Sequence, residues 1–370
     1  MKKIKILYLI TGLTPGGAEL TLKNIILELN PEKFEISVCS ITYTTDIFDL
    51  LKQRVKNIYF LRVKNNYGFI KAFILLRKII KKENPDILHC FMFHSNILGR
   101  FAAISYKIQV ISSIRTKLIN NKFGNLLDNI TQRLVDVYMV NSKTLAKFID
   151  DYGIKKQKII LIENGIDFDK FNLKKSSEDL KKELNLPNFP IITMIANFKK
   201  QKDYPTMIKA IAYLQKDIDI CFLAVGSGLE FEDEMNNVKD LVRKLEVRNV
   251  KFLGFRNDIP EILSITDVWT SSTLFEGQSN SLLEAMAMKK QIVTSNISEN
   301  AELVRDKKEA LLVPIKSPIK LANAIKRLLL DKRLAKELSE NAYQKVSNNF
   351  GITRMFEKIK KLYNLIALKN

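Results

Sequence analysis

Between Val268 and Met286 the sequence changes its period within a few residues, and this change limits the possible folds more than any other feature. Val268-Trp269-Thr270-Ser271-Ser272 is apolar and β-favouring, as a buried strand is, whereas the residues from Leu282 onward have helical character. Glu276 to Ser281 is therefore a strand-to-helix crossing, the place where open α/β sheets bind their ligands. The first turn of the helix that follows carries unpaired N–H groups and the positive dipole end, which suit a phosphate or diphosphate. The same order of strand, loop and helix begins at residues 4–10 and recurs along the chain, predicting parallel sheets covered by helices. With 370 residues there is material for two such domains, each with its own core.

Glu276 and Glu284 flank that anion site, where a carboxylate is electrostatically unfavourable unless it serves a purpose. An ionised carboxylate accepts two hydroxyl donors at once and so matches the vicinal diols of a sugar or ribose. Two plainer readings stand beside this. Ser281-Leu282-Leu283-Glu284 fits a capping box, in which Glu284 would only bond the backbone at the helix start, and Glu276 would be a solvated loop acid.

Glu276 and Glu284, with seven residues between them in Phe275-Glu276-Gly277-Gln278-Ser279-Asn280-Ser281-Leu282-Leu283-Glu284-Ala285-Met286, resemble the donor-site signature of the family 4 retaining glycosyltransferases. The resemblance implies the GT-B fold, an α/β architecture of two Rossmann-like domains facing across a cleft. On that pattern residues 1–168 form the acceptor-side domain and 169–188 a linker. Residues 189–351 form the nucleotide-sugar domain, and a last helix in 352–370 returns to the first. The resemblance further implies that Glu276 holds hydroxyls of the donor sugar, Glu284 the ribose, and the amides of Gln278, Ser279, Asn280, Ser281 and Leu282 the diphosphate.

Further donor-side candidates lie in other β-α loops. Gly16 and Gly17 let the backbone approach a ligand at the first helix start, and Gly226 opens a Gly-Ser-Gly turn of weak phosphate-loop character. Lys202 is placed to reach back over a helix start and neutralise a diphosphate, or is one more solvated lysine. The family carries an arginine where this chain has Asn197, so the second cation is missing or comes from Lys199, Lys200 or Arg115. Phe255 and Arg256 match the family loop that packs on the nucleotide base. On the acceptor side, His94 follows an apolar strand into what reads as a polar loop, as a proton carrier, a hydroxyl ligand or a plain loop histidine. Arg115 ends another strand, as a phosphate or acceptor contact or a surface arginine.

Composition excludes several alternatives. No stretch reaches the length of a membrane span, and the apolar start reads as a first strand rather than a leader peptide. Two histidines rule out multi-histidine metal sites, and Cys39, Cys90 and Cys221 are expected as reduced core residues. Asp167-Phe168-Asp169 has the spacing of a cation-binding motif but follows an Asn-Gly turn at a domain junction, so no metal and no cofactor are expected. The net charge of +20 favours anionic surfaces, or reflects a lysine-, isoleucine- and asparagine-rich background composition with no target. In residues 67–82, Lys71, Lys78, Lys81 and Lys82 fall near one face of an expected helix, either a membrane-facing element or an ordinary outer helix. No nucleic-acid reader motif is present.

The expected function is transfer of a sugar from a UDP- or GDP-sugar to a hydroxyl of a glycan or lipid-linked glycan, in the cytoplasm or on the inner membrane face. Glu276, Lys202 and His94 are the expected catalytic residues. A GT-B sugar phosphorylase or epimerase, or a silent sugar-binding subunit, is the alternative.

Overall fold

The computed structural model describes residues 2–14, 16–43, 51–63, 68–116, 122–228 and 231–368, with side chains of 122–126 excepted. The chain divides into two compact units, residues 1–164 with 353–370, and residues 165–352.

The first unit is built on a seven-stranded sheet in the order β3-β2-β1-β4-β5-β6-β7. Its strands are β1 (Ile4–Ile10), β2 (Phe34–Ser40), β3 (Asn57–Phe60), β4 (Ile87–Phe91), β5 (Gln109–Ile114), β6 (Val137–Val140) and β7 (Ile159–Leu161). The second unit has a six-stranded sheet in the order β10-β9-β8-β11-β12-β13. These are β8 (Ile191–Ile195), β9 (Cys221–Val225), β10 (Val250–Gly254), β11 (Val268–Ser271), β12 (Gln291–Ser295) and β13 (Leu311–Val313). All the pairings are parallel. Both sheets therefore reverse their winding next to their first strand, between β1 and β4 and between β8 and β11. Such reversals open a crevice at the carboxyl ends of the strands.

The residue pattern explains the layering. Central strands such as β9 (Cys-Phe-Leu-Ala-Val) and β4 (Ile-Leu-His-Cys-Phe) are buried on both faces, as strands covered by helices on either side must be. In the second unit one apolar layer joins Met194, Phe222 and Val293 to Met207, Ile211 and Ile325. A separate layer on Trp269 and Ile292 takes in Leu282, Leu283 and Met286. Cys39, Cys90 and Cys221 are free and buried.

Residues 169–188, expected as a linker, are part of the second unit. Leu180 in the helix Ser177–Glu183 is fully buried with Ile191, Leu223 and Ile262, so one apolar residue anchors an otherwise polar segment. The last helix, Ile352–Ala367, belongs with the first unit. There Tyr363 hydroxyl lies 2.9 Å from Tyr8 hydroxyl and 2.7 Å from His89 Nδ1, while His89 Nε2 lies 2.7 Å from Ser113 Oγ. Burial, with Arg115 nearby, lowers the His89 pKa to about 3, so the ring is neutral and accepts through one nitrogen. Among the described residues no helix is long and apolar enough to cross a membrane.

Candidate active site

The loops after β8 and β11 meet at the reversal point of the second sheet. Ser272 Oγ donates to Lys202 O at 3.0 Å and Asp203 O at 2.8 Å, Thr273 Oγ1 to Gln201 O at 3.1 Å, and Leu274 N to Gln201 O at 2.8 Å. Asp203, at φ 49°, caps the helix Tyr204–Leu214 by accepting from Thr206 N, so the chain turns sharply right after Lys202. These bonds bring Lys202 Nζ to 2.5 Å from Glu276 Oε2. Both side chains are 16% exposed, shielded enough for the pair to be held yet open to a ligand. Thr273 Oγ1 also lies 3.4 Å from the same carboxylate oxygen.

The neighbouring helix runs Asn280–Ala287. Its cap is Ser279, whose hydroxyl accepts from Leu282 N at 3.3 Å and lies 3.3 Å from Ser281 Oγ. The helix thus starts earlier than expected, and Ser281 is inside its first turn. The capping box on Ser281 does not form, because Glu284 sits beyond the first turn, out of reach of the cap. Leu282 is fully buried, so what it offers a ligand is backbone alone, and Gln278 is buried beside the cap. Glu284 is half-buried, and no hydrogen-bond donor among the described residues reaches its carboxylate. Burial raises its pKa to about 7 against the opposing pull of Lys170.

Other expected donor residues make protein contacts. Asn197 Oδ1 accepts from Ser227 N at 2.9 Å, tying the loops after β8 and β9. Gly226 is at φ 155°, and a Cβ there would come within 2.1 Å of Ala196 O; its glycine serves the packing of two loops. Lys199 lies over the Phe231 ring and Lys200 pairs with Glu234 at 3.3 Å. Arg256 is engaged twice by Asp258, at 2.8 and 2.5 Å, and lies 3.7 Å from Glu183, while Phe255 is exposed.

In the first unit, His94 is not in a loop. Met92, at φ 73° and ψ 166°, turns the chain from β4 straight into the helix Phe93–Ala103, leaving His94 exposed in its first turn beside Phe69 and Phe93. Arg115 donates to Thr21 Oγ1 at 2.9 Å and Asn164 Oδ1 at 2.6 Å, and is not a surface arginine. Gly16 caps the helix Gly17–Glu28 in extended conformation, and Gly17 O accepts from Thr21 Oγ1 at 2.7 Å. The Asp167-Phe168-Asp169 string is a small cap: Asp167 accepts from Asp169 N at 3.2 Å and pairs with Lys170 at 3.5 Å. Among the described residues no group of three or more His, Cys, Asp or Glu side chains could hold a metal ion.

Ser272 and Thr273 were not singled out in the sequence, although they align the Lys202 loop. The signal was a run of hydroxyl residues just past a buried strand, where side chains reach neighbouring loops.

Comparisons with known proteins agree with this geometry. A model described as Glycosyl transferases group 1 matches residues 176–345, and one described as Glycosyltransferase Family 4 matches residues 15–170. The chain is 29% identical to the Escherichia coli UDP-Gal:alpha-D-GlcNAc-diphosphoundecaprenol alpha-1,3-galactosyltransferase over 98% of this chain and 97% of that protein. It is 27% identical to the Campylobacter jejuni N,N'-diacetylbacillosaminyl-diphospho-undecaprenol alpha-1,3-N-acetylgalactosaminyltransferase over 76% and 77%. In fold it is similar to Anabaena Alr3699/HepE, solved in complex with UDP-glucose, with a TM-score of 0.87 at 20% identity, covering 98% and 99% of the two chains. With two family models covering most of its length and both sheets wound in the GT-B manner, the chain belongs to the family 4 glycosyltransferases.

Proposed function

We propose that the protein is a retaining, metal-independent glycosyltransferase that moves a sugar from a uridine or guanosine diphosphate-sugar to a hydroxyl of a glycan carried on a lipid diphosphate. The observation that carries this reading is the contact of Lys202 with Glu276, beside a helix amino end that bears Glu284. A sugar diphosphate carries its hydroxyls and its phosphates on either side of one anomeric carbon. A hydroxyl acceptor and a phosphate-binding cation in contact suit that arrangement.

Lys202 and the first turn of the helix Asn280–Ala287 stabilise the negative charge that develops on the leaving diphosphate. This is the charge a divalent cation would otherwise neutralise, so no metal step is invoked. Glu276 takes a hydroxyl of the transferred sugar and releases Lys202 to the phosphates as the donor enters. Glu284 accepts hydroxyls of the ribose. Gly16 and Gly17 are proposed for the donor phosphate or the acceptor, and His94 and Arg115 for the acceptor side, with His94 exposed and able to meet a hydroxyl. The lipid-linked acceptor is supported by the two bacterial relatives, both named for diphospho-undecaprenol substrates.

Peripheral docking on the inner membrane face is part of the same reading. On the helix Gly68–Glu83, Ile70 and Ile74 are 74% and 50% exposed beside exposed Lys71, Lys78, Lys81 and Lys82. Apolar side chains flanked by ammonium groups suit an anionic lipid surface.

The test is incubation with a panel of radiolabelled nucleotide-sugars, with and without a lipid-diphosphate glycan. Label in the lipid product with the donor's anomeric configuration is expected. Phosphate-dependent cleavage, or isomerisation of the donor sugar without acceptor, would replace this reading with a phosphorylase or an epimerase.

A further inference from the structure

A polar cavity lies in the second unit, at the end of the strands opposite Glu276. It has a volume of about 380 Å³, and among the described residues its lining includes Lys181, Lys289, Lys290, Lys332 and Lys336. These come from the helix Ser177–Glu183, the turn before β12 and the first turns of the helix Lys332–Asn349. The cavity thus opens at the amino ends of β11 and β12, whereas Glu276 and Ser279 follow the carboxyl end of β11.

Five ammonium groups around one small cavity repel one another unless something anionic stands among them. The lining supplies one carboxylate, Asp267, and that group already accepts from Ile191 N at 2.7 Å. Outside the lining, Glu340 pairs with Lys289 at 3.1 Å and also attracts Lys336, leaving Lys181 and Lys332 to Asp267. Lys290 is drawn inward, its Nζ 3.1 Å from Thr266 O and 3.5 Å from Ser264 O. Gln291 also lines the cavity, and its Oε1 is buried without a hydrogen-bond partner. The hydroxyls of Ser177 and Ser264 lie 3.1 Å apart on the same wall, with Ser264 donating to Glu261 O at 2.7 Å. We propose that this cavity is a second binding site, distinct from the donor site, for a diphosphate-class anion held by Lys181, Lys290, Lys332 and Lys336. An anion there would brace the helices Ser177–Glu183 and Lys332–Asn349 against the turn before β12. Burial holds the Lys290 pKa below the usual lysine range, and a bound anion would reverse that shift.

The probe is inorganic pyrophosphate, and the readout is lysine acetylation followed by peptide mass spectrometry on the whole chain. Lys202 reports the donor site in the same sample, so the two sites are read separately. At saturating pyrophosphate, acetylation of Lys181 and Lys290 is expected to fall about tenfold, as occupancy dictates. Lys332→Gln with Lys336→Gln, both exposed positions, should weaken that protection about tenfold while leaving protection of Lys202 unchanged. A parallel arm with vesicles containing a lipid diphosphate distinguishes the source: protection by vesicles alone assigns a headgroup, and protection by free pyrophosphate assigns a soluble anion. Protection confined to Lys202, equal protection by sulfate at matched ionic strength, or protection of Lys290 unmoved by the double substitution would each overturn the proposal.

Discussion

The two units share one winding pattern but treat the crevice at its reversal in opposite ways. In the first, the polar groups within and just after the strands are spent on the protein itself: His89 on Tyr363 and Ser113, Arg115 on Thr21 and Asn164. In the second, Lys202 is paired with Glu276, whose carboxylate Thr273 reaches only at 3.4 Å, and Glu284 faces partial burial with no donor bonded to it. A buried neutral network gives rigidity, whereas a half-shielded charge pair gives a ligand something to displace. One scaffold therefore supplies both a framework and a site, and the placement of charge tells them apart.

That contrast is most exposed to failure at Glu276. Glu276→Gln should lower kcat/KM about 10²- to 10³-fold with the fold retained, while His94→Ala on the other sheet should cost far less. Steady-state rates with a confirmed donor, set beside circular dichroism, check this; equal losses at the two positions would erase the distinction. Acid should strike the first unit through His89. Its folded pKa, about 3, lies below the unfolded value, so the unfolded chain binds the proton first. Its contribution is fully present above pH 6.5 and is lost as pH falls toward 3, amounting to a few kcal/mol. Hydrogen exchange resolved by unit should show amides of β4 and β5 losing protection on acidification before those of β8 and β9.

Tyr363→Phe sharpens the same point at neutral pH. Removing one hydroxyl leaves His89 and Tyr8 short of a partner and should cost the first unit about 1–3 kcal/mol, leaving the second unchanged in the same exchange experiment. Glu284→Gln should act in reverse, stabilising the protein while weakening the donor. Between pH 4.5 and 7 the native carboxyl keeps a proton that the unfolded chain releases, so stability falls as pH rises through that window. Relieving the charge should raise stability at pH 8 by about 1–2 kcal/mol and weaken nucleotide-sugar binding roughly tenfold, read by denaturant melts and calorimetry. The smallest effect is expected at Met92. A non-glycine residue at φ 73° costs about 1–3 kcal/mol, and glycine's extra freedom in the unfolded chain returns most of that, so Met92→Gly should gain about 0.5 kcal/mol in thermal melts.

The sequence carried the alternation of strands and helices, and hence the sheets, because buried parallel strands are written as continuous apolar runs. It carried the region of the site for the same reason, since Val268 to Met286 changes period within one loop. It did not distinguish Ser279 from Ser281 as the cap, because either serine satisfies the same local preference. The turn at Met92 was hidden as well, since nothing in Phe91-Met92-Phe93 signals a positive φ in a residue other than glycine. The polar composition of residues 169–188 masked the single anchor, Leu180. For Arg115 a ligand contact and a surface position stayed open because its partners, Thr21 and Asn164, are distant in sequence, and the lysine cavity was invisible for the same reason.

The contact between Tyr8 and Tyr363 has a consequence for biosynthesis. The first sheet emerges from the ribosome before the helix Ile352–Ala367 that packs on it, and residues 165–352 are made in between. The order of maturation is thereby inverted relative to the usual progression from the amino terminus. A nascent chain stopped just short of Tyr363 would carry a finished second unit attached to a first sheet still without that helix, the form on which chaperones and proteases would act.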